Sequence, residues 1–160
     1  MNGHDSRFYY KSGGKWHKIH HHRLIAGAII HKGDNVLIGR KDRNKPHPSR
    51  GQWAFPAGMV EPKESPFDAV VREVKEETGL KVRSKNVIDF VSDYVTFPNW
   101  GMPCWYTFIY IDCPYNGGIA KASDDLVELK WVKAKDINKY LTSRRPPKGS
   151  RLEKFVRSLK

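Results

Sequence analysis

The sequence predicts an α/β protein, a three-layer α/β/α sandwich built on a mixed β-sheet. Apolar runs of strand length recur along the chain, bounded by Gly, Pro, Asn and Asp turn signals. Between them lie two stretches with helical periodicity, so strands and helices alternate rather than segregate. The chain has 160 residues, 39% of them hydrophobic and 12% aromatic, which suits one packed core over residues 1–160 rather than disorder. No apolar run is long enough to span a bilayer, and the start MNGHDSRFYY lacks the apolar stretch of a signal peptide, so a soluble, cytoplasmic protein with no membrane role is expected.

Residues 1–22 form an N-terminal extension rich in Gly, Lys and His. Its run HKIHHHR, His17 to Arg23, places three histidines side by side, but in a strand adjacent side chains alternate faces and do not converge on one ion. LIAGAIIH, Leu24 to His31, is a β-branched run; Gly33 and Asp34 supply a turn and NVLIGRK, Asn35 to Lys41, returns as the hairpin partner. DRNKPHPSRGQ, Asp42 to Gln52, is a polar, basic surface loop, and WAFPAG from Trp53 carries a short strand out of it.

The stretch Gly58 to Leu80, GMVEPKESPFDAVVREVKEETGL, is where the chemistry concentrates. Ser65 precedes Pro66 and no breaker follows until Gly79, so a helix is expected over Ser65 to Thr78, closed by Gly79. At roughly 100° per residue, Glu73, Glu76 and Glu77 share about a 100° arc, and Phe67, Val70, Val71 and Val74 form the neighbouring stripe. One stripe is expected to face core and the other a cleft. Like charges at these spacings cost only ~0.2–0.5 kcal/mol per pair on a solvated helix, so the acids alone fit a solvated face as well as a site for a hard cation.

VRSKNVIDFVSDYVTF and CWYTFIYIDC, starting at Val82 and Cys104, read as two long strands joined by PNWGMP, a turn able to present Phe97 and Trp100 to a flat ring. Cys104 and Cys113 lie nine residues apart on one extended run, beyond disulfide reach, and are expected as reduced thiols. A turn at Asn116 to Gly118, an acidic loop and the strand VELKWV follow, then a second helix from Ala134 to Leu141. Residues 143–160 read as a proline-broken basic linker and a short amphipathic helix with Leu152, Phe155, Val156 and Leu159 inward.

Gly58, five residues, Glu64, seven residues, then Arg72-Glu73-Val74, any residue, Glu76-Glu77, any residue, Gly79-Leu80 resembles the Nudix box at all nine specified positions, and by it the chain is similar to the Nudix hydrolases. WAFP at Trp53 and the spacing of Glu128 and Trp131 extend the likeness over most of residues 23–141. The resemblance implies a Nudix-type sandwich and a metal-dependent hydrolase that cleaves the pyrophosphate of a nucleoside diphosphate linked to another moiety. It makes Glu73 and Glu77 metal ligands, Glu76 a ligand or base, the main-chain carbonyl of Ala57 a further ligand, and Glu64 the salt-bridge partner of Arg72. Many relatives have Gly at position 57; the carbonyl is retained here. Mg2+ is the expected cofactor, with Mn2+ a substitute.

Outside the box, the resemblance places a substrate-bordering loop at Asp42 to Gln52, making Arg40, Lys41, Arg43, Lys45 and Arg50 candidate phosphate contacts. It makes Asp124, Asp125 and Glu128 candidates for an extra ligand or base. No full secondary signature names the substrate: no SQPWPFPxS follows the box, and Pro98 lies 18 residues beyond Leu80 rather than at the distance associated with ADP-ribose hydrolases. Nucleoside or deoxynucleoside triphosphates and ADP-ribose or another sugar nucleotide rank level, with dinucleoside polyphosphates behind them. A formal charge of +12, from 29 basic and 17 acidic residues, attracts polyanions, but the basic residues are scattered, which favours a small nucleotide over a nucleic acid polymer. The alternatives are a nucleotide-binding module without catalysis and an RNA 5′-end pyrophosphohydrolase. Monomer and homodimer both remain open.

Overall fold

A computed structural model describes residues 9–18, 22–47, 49–96, 103–142 and 145–160. Strands β1 (Tyr9–Ser12) and β2 (Lys15–Lys18) form a hairpin that, among the described residues, is a two-stranded sheet of its own. The main sheet has seven strands: β3 (His22–Lys32), β4 (Asn35–Lys41), β5 (Trp53–Ala54), β6 (Ala57–Met59), β7 (Val87–Thr96), β8 (Pro103–Pro114) and β9 (Leu126–Lys133). Its order is β5-β4-β3-β8-β7, with β6 paired to β3 and β9 to β4. The β3–β8 pair is parallel and the rest are antiparallel, the mixed sheet the alternating elements predicted.

Strands β3 and β4 meet only at their turn, His31 opposite Val36 and Lys32 opposite Asn35. Beyond it they part. β6 takes the edge of β3 with Ile25 opposite Met59 and Gly27 opposite Ala57, while β5 and β9 pair with β4. The single strand expected from Trp53 is thus two, interrupted at Phe55 and Pro56 because proline has no N–H for a ladder. The sheet is forked, and the fork holds the site.

Helix α1 (Pro66–Thr78) lies on one face of the sheet. The Ser65 side chain accepts the Asp68 N–H, Pro66 starts the first turn, and Gly79 closes the helix at φ 70°, a left-handed conformation that costs glycine little. Ala69, Val70 and Val74 pack beneath it on Ala26, Ala28, Ile30, Leu37 and Ile111. The other face carries Ile29, Val36, Ile38, Phe55, Phe108 and Val132 under Ile137, Leu141, Leu152 and Val156, each such burial worth about 1.5–3 kcal/mol.

Two expectations need correction. The segment from Ala134 is a 3₁₀ helix over Ala134–Lys139 rather than an α-helix to Leu141; no side chain caps its start, and burial of Ile137 and Leu141 fixes it. In α1, Phe67 and Val71 are 36% and 37% exposed, and the buried arc runs through Val70, Val74 and Glu77 instead. Helix α2 (Arg151–Ser158) matches its pattern, with Leu152 and Val156 buried, Phe155 and Leu159 packed beside them, and Ser150 capping the Glu153 N–H. Leu152 N–H also donates to Asp89 Oδ2 of β7 at 3.1 Å, tying α2 to the sheet.

Cys113 is fully buried with a free thiol, its pKa pushed up to about 12 first by burial. The Cys104 side chain, Phe97, Trp100, His20 and His21 lie outside the described residues. No described helix is long and apolar enough to cross a membrane.

Candidate active site

The fork opens on a cavity of about 380 Å3. One wall is polar: Glu73 and Glu77 of α1, Lys41 at the end of β4, and Asp124 and Asp125 of the loop before β9. The apolar lining is Ile25, Phe55, Tyr106, Phe108 and Tyr110. Its rings are ordered against one another, with Phe108 and Tyr110 centroids 4.6 Å apart and Phe55 edge-on to Tyr110 at 6.1 Å. An apolar pocket with a few convergent polar groups is the form small-molecule sites take.

Glu77 is 1% exposed, on the sheet-facing side of α1. Both of its oxygens are engaged: Oε1 accepts from Lys41 Nζ at 2.6 Å and Oε2 from the Ala57 N–H at 2.9 Å. Burial raises its pKa to about 7, outweighing the attraction of Lys41. Glu73, one turn earlier, is also shifted upward by burial, against the pull of Arg72. Gly58 of β6 passes so close that a Cβ there would overlap the Glu73 carboxylate, so this position must lack a side chain for Glu73 to reach the cavity. Glu76 points outward, its side chain 50% exposed.

Arg72 ties loop to helix. Its Nε and Nη2 hold Glu64 Oε1 and Oε2, each at 2.9 Å, Nη2 also donates to the Met59 carbonyl at 3.0 Å, and Nη1 reaches Glu73 at 2.8 Å and Glu76 at 3.1 Å. This side-on pairing, with the Glu61 N–H donating to Glu64 Oε2, holds the Glu64 carboxyl at about 2 and raises Arg72 further above its ordinary value. Arg72→Ala is expected to lower both Tm and activity, because one deletion unties four acceptors at once. A double-mutant cycle with Glu64→Ala checks it; zero coupling between positions 64 and 72 would refute the pairing as a stabilising unit.

The remaining predicted residues divide. Asp124 and Asp125 line the cavity, and Lys45 reaches over to the Asp124 carbonyl at 3.0 Å and Asp125 Oδ1 at 3.1 Å. Glu128 and Arg40 do not line it; they pair with each other across β9 and β4, Arg40 Nε donating to Glu128 Oε2 at 3.0 Å. Arg50 is exposed and also outside the lining. Among the described residues no three His, Cys, Asp or Glu side chains gather into a metal-holding cluster; Lys41 and Arg72 stand among the acids as their partners. The sequence offers Lys41 only as one candidate phosphate contact among several, and has no signal for His47, Ser49 or the aromatic lining, which fold topology alone brings to the cavity.

A family model described as NUDIX domain matches residues 21–157. The ADP-ribose pyrophosphatase of Methanocaldococcus jannaschii is 32% identical over 126 residues, covering 78% of this chain and 70% of that protein. Nucleoside diphosphate-linked moiety X motif 6 of Homo sapiens is 28% identical over 132 residues, 82% of this chain, which spans only 40% of the human protein's length. Among solved structures, the MutT protein from Methanosarcina mazei superposes with a TM-score of 0.68 at 25% identity, covering 86% of this chain and 92% of that one.

Proposed function

The chain belongs to the Nudix hydrolase family, and from that premise we propose that it hydrolyses the pyrophosphate bond of a nucleoside diphosphate linked to another moiety, using a divalent cation at Glu73 and Glu77. One observation carries this reading: two carboxylates on consecutive turns of α1, Glu77 buried and Glu73 half-buried, line one pocket of about 380 Å3 together with Phe55, Phe108 and Tyr110.

The donor set fits a hard cation. Mg2+ prefers one or two carboxylates completed by carbonyls, waters and substrate phosphates. Ala57 adds a main-chain oxygen: its N–H turns to Glu77 rather than to β3, a non-hydrogen-bonded position of the ladder in which the carbonyl faces away from β3 as well. Gly58 leaves the room that Glu73 needs. When bound, Mg2+ offsets the charge of the pyrophosphate oxygens and lowers the pKa of water. The protein's own part is to orient Glu73 through Arg72, to seat a flat ring against Phe108 and Tyr110, and to accept a proton at Asp124 or Asp125, since Glu76 points outward and does not line the pocket.

Metal binding needs Glu77 ionised. Its free-protein value of about 7 means kcat/KM rises with pH through that value and levels off above it. A pH profile from 5.5 to 9 tests this, and a flat profile would count against Glu77 as the titrating ligand.

The substrate is proposed to be a nucleoside triphosphate, ADP-ribose or a related sugar nucleotide, read by the pocket rather than by a basic track. Release of phosphate or nucleoside monophosphate over such a panel, with Mg2+ and with Mn2+, distinguishes an enzyme from a binding module and names the leaving moiety. For a small nucleotide, kcat/KM is expected to fall less than about tenfold between 50 and 200 mM salt, against roughly 10³–10⁵ in affinity for proteins making 6–10 phosphate contacts on DNA. Steeply salt-dependent turnover of 5′-triphosphorylated or capped RNA would replace this reading with RNA-end processing, for which the +12 charge is the supporting observation.

A further inference from the structure

We propose that Lys41 is a built-in counter-cation of Glu77, holding that carboxylate in place in the metal-free protein and competing with the divalent cation for it. The inference rests on the reading of Glu77 as a cation ligand. It begins in the strand. Along β4 the register with β9 shifts between Arg40 and Lys41, an irregularity of the kind that re-aims side chains. Arg40 goes outward to Glu128, and Lys41 turns inward until it is 3% exposed.

Its backbone is pinned on both sides: the Lys41 N–H donates to the Gln52 carbonyl at 3.0 Å and its own carbonyl accepts the Gly51 N–H at 2.9 Å. Only the side chain is left to move. At its tip Nζ lies 2.6 Å from Glu77 Oε1, with side-chain exposures of 4% and 2%, in the wall of the cavity.

An ammonium so placed does what a metal ligand's environment otherwise must do. Glu77 is nearly removed from water, and a carboxylate buried without a partner is costly. Lys41 at one oxygen and the Ala57 N–H at the other satisfy both, so the site is assembled without metal. The same contact works against a second cation: an ammonium and a dication at one carboxylate repel, and metal gains Glu77 only by displacing Nζ or tolerating it. Arg72 does not play this part, since its guanidinium spans Glu64, Glu73 and Glu76 and has no bond to Glu77.

The test is Mn2+ binding, followed by electron paramagnetic resonance of free Mn2+ at pH 8.5, with thermal unfolding in chelator and in Mn2+. In Lys41→Met, whose side chain keeps length without charge, Mn2+ affinity is expected to tighten at least about tenfold, while Tm in chelator falls by roughly 6–20 °C, the cost of an unpaired buried charge. Mn2+ then raises the variant's Tm more than it raises that of the wild type. Lys41→Arg, which keeps the charge, should bind Mn2+ within about threefold of wild type, and Lys41→Gln stands in for Lys41→Met if the latter does not fold in chelator. Affinity unchanged or weakened in the uncharged variant would overturn the competition. Glu77→Gln separates the two ideas: wild-type Mn2+ affinity in that variant would remove Glu77 from the ligand set and so the premise.

Discussion

Glu77→Gln is expected to lower kcat/KM at saturating Mg2+ by at least about a hundredfold if Glu77 holds the cation as proposed, since even partners of metal ligands cost 10–100-fold when removed. The amide keeps the volume of the carboxylate but has one acceptor oxygen where two are in use. Oriented toward Lys41 it presents its NH2 to the Ala57 N–H, and flipped it presents the NH2 to the ammonium. Either way a buried donor is left unsatisfied, so this variant also loses stability. Glu73→Gln is expected to match the loss of rate with a smaller loss of Tm, because Glu73 is more accessible, at 13% of its side chain, and Arg72 keeps three other acceptors. Steady-state kinetics and thermal melts of the pair decide it: wild-type rates in both variants would sink the assignment of these two acids.

Why Glu77 and not Glu76 is the buried acid could not be read from the helical wheel. Spacing alone places Glu73, Glu76 and Glu77 on one arc, and it is the direction in which α1 meets the sheet that sends Glu73 and Glu77 inward and Glu76 out. The caps were legible because they are local: Ser65, Pro66 and Gly79 each act on backbone within a few residues. So were most strands, although the one expected from Val82 begins only at Val87, and its Val87, Phe90 and Val91 are exposed rather than buried. The fork of the sheet was not, for it depends on β6 displacing β4 from the edge of β3, a competition between segments far apart in sequence. Lys41 read as one candidate phosphate contact among five because the register shift beside it leaves no mark in composition, and the outward pairing of Glu128 with Arg40 was not legible because it is set by β4. Phe67 and Val71 fit an apolar stripe by period, yet the sheet meets α1 along the adjoining arc, where a buried acid takes the place a hydrophobe would otherwise hold.

Gly58→Ala is expected to disable the enzyme through space alone. The residue has no left-handed backbone to protect, and its requirement is the absence of a Cβ where Glu73 passes. The strand cannot yield easily: Gly58 sits opposite Ala26 of β3, and its neighbours Ala57 and Met59 oppose Gly27 and Ile25. Glu73 must therefore move, away from the position in which it lines the cavity and accepts the 2.8 Å bond from Arg72. The atoms that must give way are the far end of a flexible side chain, so the loss of Tm is expected to be small while the loss of rate is large. The rate should fall as far as in Glu73→Gln, since the carboxylate is present but misplaced. Adding Glu73→Ala to Gly58→Ala separates the causes: with the obstructing side chain gone, Tm recovers toward that of Glu73→Ala alone while activity stays lost. If Gly58→Ala keeps wild-type kcat/KM, Glu73 does not need the position it occupies between β6 and α1, and its role as a ligand there fails with it.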